Sequence, residues 1–203
     1  MVLSLFAVLL IIRWIGRGVN NRVPDGGVNV SMYVDVNGSR QWIHIYGQDR
    51  NNPVLLYLHG GPGSATSLFD YAFTRKWSDV YTVVTWDQRG CGKSFDKSHP
   101  ETITADIMMS DGKVMTEYLR DFLQVDQITL LGHSWGSYLG ANLALAYPEY
   151  YEAFIGTGSS STLTKTSAGS TKPRWSGRNT TRKAVRWSIS GLGAGNRERM
   201  ISC

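Results

Sequence analysis

The residues best suited to chemistry in this chain are a serine between two glycines and a second glycine cluster upstream of it. Gly132, Ser134 and Gly136 stand in the pentapeptide GHSWG. Glycines two residues before and two after a serine allow a strand to turn sharply into a helix. A β-carbon at either glycine would collide where the two backbones cross, and the serine between them is driven into a strained conformation with its hydroxyl held clear. Such a hydroxyl is a candidate nucleophile, provided a base takes its proton. The second cluster is HGGPG at 59–63, made by His59, Gly60, Gly61 and Gly63 around a proline. Three glycines and a proline in five residues forbid regular structure and leave backbone amides free to stabilise a developing oxyanion. The expected donors are the N–H groups of Gly61 and of Trp135, the residue after the serine. His59, Gly60 and Gly63 are expected to shape the same site.

A third motif, DQRGCGKS at 87–94, ends like a phosphate-binding loop but carries Asp87 where that loop opens on glycine. Nucleotide binding is therefore not expected. Asp87 and Arg89 are read instead as braces that hold loops around the site by charge-assisted hydrogen bonds. Cys91, in the same loop, has no histidine partner suggested by sequence and reads as a small filler. The other cysteine is Cys203, so no disulfide framework is implied, and no metal or cofactor is expected.

These motifs need a frame of strands and helices. Residues 127–131 alternate and then run apolar (Ile128, Leu130, Leu131) into the serine turn, and helical spacing of Tyr138, Leu139, Leu143 and Ala144 follows it until Pro148. Upstream, residues 28–34 alternate, Asn37-Gly38 supplies a hairpin turn, and Trp42, Ile43 and Ile45 lead out of it. The unalternating runs at 54–58 and 80–86 suit strands covered on both faces. Helices are predicted over 68–77 and 104–124, and a further strand over 151–156. Strands alternating with helices predict an α/β fold: a doubly wound, mostly parallel sheet with an antiparallel N-terminal edge hairpin, and ligands at the carboxyl ends of the strands.

Charge divides the chain more sharply than composition does. The 42% apolar and 18% charged content is that of a globular protein, but the net charge of +5 is unevenly placed. Residues 1–157 hold 12 basic and 15 acidic residues, whereas residues 158–203 hold 9 and 1. The basic excess therefore belongs to the tail and is not a nucleic-acid footprint of the folded part. Residues 1–20 form a hydrophobic segment, too short before Arg13 to span a bilayer and without a signal-type cleavage site. Because it is apolar all round, it reads as an anchor or signal-like segment with membrane contact through residues 1–15, rather than as a helix packed on the domain. A membrane-associated or exported protein is expected on that ground, and a cytoplasmic one otherwise.

HGGPG, WDQRGCGKS and GHSWGS, in that order across 28–158, resemble the proline iminopeptidase-like branch of the α/β-hydrolases. The resemblance implies an α/β-hydrolase fold, Ser134 as nucleophile, and release of N-terminal residues from peptides. His133 departs from many of these peptidases, which carry glycine before the serine. Esterases of the same fold share GHSxG, so a small ester is the alternative to a small peptide as substrate.

Such hydrolases place an acid and then a histidine after the serine. After Ser134 this chain holds no histidine, and its acids there are Glu149, Glu152 and Glu198. His44, His59 and His99 all lie upstream, and His133 is too close to the nucleophile to serve it. Residues 159–203 are rich in Ser, Thr, Gly and Arg without apolar periodicity, which predicts a disordered or out-of-frame tail in place of the fold's C-terminal half. The expectation is a partial hydrolase domain over 28–158, inactive or weak as it stands. A membrane-tethered binding module without chemistry is the rival.

Overall fold

The computed structural model describes residues 2–20, 22–97 and 103–158, which fall in one compact unit. Expectations placed on His99 and on 159–203 lie outside them. The chain begins with helix α1 (Val2–Asn20), then forms strands β1 (Val28–Val36) and β2 (Ser39–Gly47), β3 (Val54–Leu58), a short helix α2 (Tyr71–Thr74) and β4 (Thr82–Asp87). Helix α3 (Ala105–Leu123), strand β5 (Ile128–His133), helix α4 (Trp135–Ala146) and strand β6 (Tyr151–Thr157) complete it.

The six strands form one sheet in the order β1-β2-β4-β3-β5-β6. β3, β4, β5 and β6 run parallel to one another, while β2 is antiparallel to both β1 and β4. The α/β architecture and its antiparallel edge hairpin are therefore as expected. The hairpin turns where the sequence placed it, with Asn37 and Gly38 both at positive φ (51° and 74°). Apolar side chains on the central strands, among them Leu56, Leu58, Val84, Trp86 and Leu130, are fully buried. Parallel strands sandwiched between helices need such runs on both faces.

Helix α3 starts at an N-cap in which Thr104 Oγ1 accepts from the Ile107 N–H (3.2 Å), and it ends on Gln124 in the left-handed region. Gly112, an apparent weakness in that helix, is where α3 crosses α4. A β-carbon there would come within 2.7 Å of Leu143 Cδ1.

The helix predicted over 68–77 is a correction. Only Tyr71–Thr74 is helical, because the chain around it is spent on turns. Asp70 N–H and Phe69 N–H both donate to the Thr66 carbonyl, and Trp77 N–H donates to that of Thr74. The strand predicted from 80 begins at Thr82, after Val80 N–H and Tyr81 N–H turn back onto the Trp77 carbonyl.

The N-terminal segment is helical over its whole described length, and most of its large apolar side chains are exposed. It meets the rest of the unit near its C-terminal end, where Arg13 donates to the Leu68 carbonyl and Gly16 lies close to Tyr71. Among the described residues no helix is long and apolar enough to cross a membrane.

Candidate active site

Ser134 lies between the last residue of β5 and the first of α4, with φ 52° and ψ −114°. That is a strained conformation for a residue with a side chain. It persists because its surroundings fix it: Ser134 N–H donates to the Thr157 carbonyl at 2.8 Å, and its carbonyl accepts from Ser137 N–H at 2.9 Å. The two flanking glycines are needed for the reason expected. A β-carbon on Gly132 would lie 2.6 Å from Ser137 Cα, and one on Gly136 would lie 2.6 Å from the Leu58 carbonyl carbon. Ser137 ties the turn to β6: its Oγ lies 2.9 Å from both the Gly132 and Thr157 carbonyl oxygens, which share its one proton, and it accepts from Thr157 N–H at 3.0 Å.

The glycine cluster at 59–63 continues from the end of β3, beside β5, and so reaches the serine. A β-carbon on Gly60 would stand 3.2 Å from Ser134 Cβ and 3.1 Å from the His133 carbonyl oxygen, a tight fit that glycine avoids. Gly61 and Gly63 both adopt positive φ (112° and 104°), and Ser64 N–H closes the turn onto the Gly60 carbonyl at 3.1 Å. Trp135 is the first residue of α4, and the opening N–H groups of a helix have no partner within it. The half-buried serine thus has Gly60 on one side and the N-terminus of α4 beside it.

His59 is fully buried and both its ring nitrogens are engaged. Nδ1 bonds the Gly60 carbonyl at 2.9 Å, while Nε2 accepts from Gln88 N–H at 3.2 Å. Those partners assign the proton to Nδ1. Burial pushes the imidazole's pKa below its usual value, partly offset by the Gly60 carbonyl and Asp87. A neutral ring spent as an acceptor shapes the loop and is not free to take a serine proton.

Gln88 is the residue that motif reading overlooked. Besides its N–H bond to His59, its Oε1 accepts from Trp135 Nε1 at 3.3 Å and its Nε2 donates to the His59 carbonyl at 3.4 Å. One side chain therefore links the glycine loop to the residue after the serine. Its only sequence signal is its place in the DQRG tetrapeptide, between the two charged residues. Cys91 likewise has a neighbour that sequence did not suggest: Sγ lies 3.4 Å from His59 Nε2 and donates to the Gln88 carbonyl at 2.9 Å, buried as a small filler would be.

Asp87 and Arg89 are both buried and both hold loops. Asp87 accepts from Ser67 N–H (3.2 Å) and Lys93 N–H (2.9 Å), joining the segment after the glycine cluster to its own loop. Arg89 faces the other way, forking onto Asp111 of α3 (2.6 and 2.9 Å) and reaching the Val36 carbonyl in the hairpin (3.0 Å). Asp111 also accepts from Gln41 (2.7 Å) and Asn37 (2.8 Å).

The remaining described histidines do not address the serine. His44 is buried against Asp70 (2.7 Å) and Asn29 (3.1 Å) beneath α2. The His133 ring sits by Thr157 Oγ1 (3.3 Å) and would block a β-carbon at Gly158, so it leans over β6. Among the described residues no group of His, Cys, Asp or Glu is arranged to hold a metal ion.

Comparison with known proteins follows the same motifs. A family model described as alpha/beta hydrolase fold matches residues 53–189. The match runs past Gly158, where the motif resemblance stops. A Bacillus subtilis protein named "Probable aminopeptidase YbaC" is 33% identical over 125 residues, covering 61% of this chain and 39% of that protein. A proline iminopeptidase of Clostridioides difficile is 34% identical, covering 61% and 41%. The chain thus spans about two fifths of the length of these curated relatives. Among solved structures, a proline iminopeptidase-related protein from Thermus thermophilus superposes with a TM-score of 0.53 at 26% identity, covering 64% of this chain and 44% of the other. An epoxide hydrolase from Mycobacterium thermoresistibile gives 0.52 at 28%, covering 64% and 39%.

Proposed function

The chain belongs to the alpha/beta hydrolase fold family, and from that premise we propose that it carries the nucleophile half of a proline iminopeptidase-like serine hydrolase. The observation that carries this reading is the strained backbone of Ser134, with Gly60 of the glycine loop packed closely beside it. The names of the two curated relatives favour a peptide with a free N-terminal residue as substrate.

In this reading Ser134 Oγ attacks the carbonyl carbon and loses its proton as the new bond forms. The carbonyl oxygen takes up the negative charge against the N–H groups of Gly61 and Trp135. Fixed backbone donors at that oxygen typically contribute about 3–4 kcal/mol to the transition state. His59 and Gln88 hold the loop and Trp135 in place, and Asp87 and Arg89 anchor the segments behind them. The proton needs a base, and the described histidines are all engaged elsewhere. This chain by itself therefore acylates slowly, because donors and binding alone retain only a small part of a triad's rate.

The test is labelling with a fluorophosphonate probe, followed by assays on proline p-nitroanilide and a short-chain ester. Slow labelling that disappears in Ser134→Ala, with the peptide analogue preferred over the ester, is the expected result. Labelling that survives Ser134→Ala removes the nucleophile assignment, and labelling as fast as that of a complete serine hydrolase removes the claim of a missing base. Preference for the ester supports the esterase reading. No labelling of a folded protein favours a binding module that keeps the cleft without the chemistry.

A further inference from the structure

We propose that α1 seats the protein on the surface of an anionic lipid bilayer, with Leu68 and Phe69 as a second point of contact. The inference is independent of the hydrolase reading. Phe6, Leu9, Leu10, Ile11, Ile12 and Ile15 are each half or more exposed. At 100° per residue they point in all directions about the helix axis. A protein groove or a second copy of the chain covers one stripe of a helix and leaves the opposite side in water. Hydrocarbon surrounds the whole circumference.

The charges agree with that occupant. Residues 1–24 contain Arg13, Arg17 and Arg22 and no acidic residue, so the segment complements an anionic surface. Arg13 and Trp14 follow directly on the apolar run, and Trp14 is 78% exposed. A tryptophan beside arginine at the end of an apolar stretch suits the headgroup layer. Ser4 to Ile12 rise about 13 Å along the helix, close to the hydrocarbon depth of one leaflet at about 15 Å. The helix is therefore long enough to enter a leaflet, while no described helix is long and apolar enough to cross both.

The second contact follows from where α1 is tethered. Arg13 donates to the Leu68 carbonyl, so the exposed Leu68 and Phe69 side chains lie on the segment that touches the helix at its headgroup end. That segment follows directly on the glycine loop at 59–63 and donates from Ser67 N–H to Asp87. A bilayer under α1 is thus in contact with the chain that leads out of the candidate site.

The full chain is tested by flotation with vesicles of phosphatidylcholine alone and of phosphatidylcholine with one quarter phosphatidylglycerol. Binding to the anionic vesicles, weakened about fivefold for Arg13→Gln, is expected from the attraction of one basic residue near such a surface. Leu9→Glu with Ile12→Glu should lower binding by more than about tenfold while far-UV circular dichroism is unchanged. Leu68→Ser with Phe69→Ser should give an intermediate loss. A folded chain that floats with neither vesicle overturns the proposal. So does a chain whose exposed helix is satisfied by dimerisation, seen as a lipid-independent dimer in light scattering that Leu9→Glu with Ile12→Glu converts to monomer. Equal binding to both vesicle types overturns the anionic preference.

Discussion

Helices α1 and α4 are both rich in leucine and other apolar residues, yet they have opposite fates. Leu139 and Leu143 of α4 are fully buried, whereas Leu9 and Leu10 of α1 are at least half exposed. The difference lies in what the neighbouring backbone permits. On α4, Gly136 abuts the end of β3, and a β-carbon on Gly140 would stand 2.7 Å from Phe154 Cε2 and 3.1 Å from Leu58 Cδ1. Glycine at those positions lets the helix sink onto three strands. On α1 only Gly16 makes a comparable approach, to the ring of Tyr71. Apolar content says that a helix seeks cover, while close-approach glycines show where the sheet supplies it.

The comparison is broken most severely at Gly136. Gly136→Ala places a methyl group against the carbonyls of Leu58, at the end of β3, and of His59, which are backbone and do not yield as a flexible side chain would. The loss should exceed about 4 kcal/mol or prevent folding, as read by urea denaturation. Asp111→Ala is next. It removes the carboxylate that Arg89, Gln41 and Asn37 share in the interior and leaves a buried guanidinium without its charge partner, at a cost of about 3–5 kcal/mol in the same assay.

A smaller and purely electrostatic effect sharpens the buried side of the contrast. Burial pushes the Tyr151 phenol from 10 up to about 12, although Thr116 at 2.9 Å opposes the shift slightly. The raised folded pKa means that its contribution is fully present below pH 10 and is lost as pH rises from 10 towards 12. On the order of 2 kcal/mol should disappear over that window. Tyr151→Phe should flatten that part of the curve in a stability titration. The smallest effect is expected on α1: Leu10→Ser should change unfolding free energy by less than about 0.5 kcal/mol, because that side chain stays half exposed in the folded chain. A loss of several kcal/mol there would show that α1 is part of the core after all.

Much of this molecule can be read without coordinates, for local reasons. The Asn37-Gly38 turn and the unalternating run of β3 each depend on a few consecutive residues, and each forms where the pattern put it. The helix predicted over 68–77 failed because the segment's hydrogen bonds are local turns centred on Thr66 and Thr74. The role of Gln88 is not legible in the sequence for a different reason. Its importance comes from meeting His59, 29 residues upstream, and Trp135, 47 residues downstream, and no local pattern announces such a meeting.

By itself, the sequence determined the strand-turn-helix that carries Ser134 and the glycine requirement on each side of it, because backbone sterics act over five residues. It also determined the all-round apolar character of α1, which is a property of composition. Only the tertiary structure decided which glycine touches the serine, that His59 spends both ring nitrogens on the loop, and that Arg89 turns away to Asp111. Those outcomes depend on how β3, β4 and β5 lie side by side, and that is set by burial summed over the whole sheet.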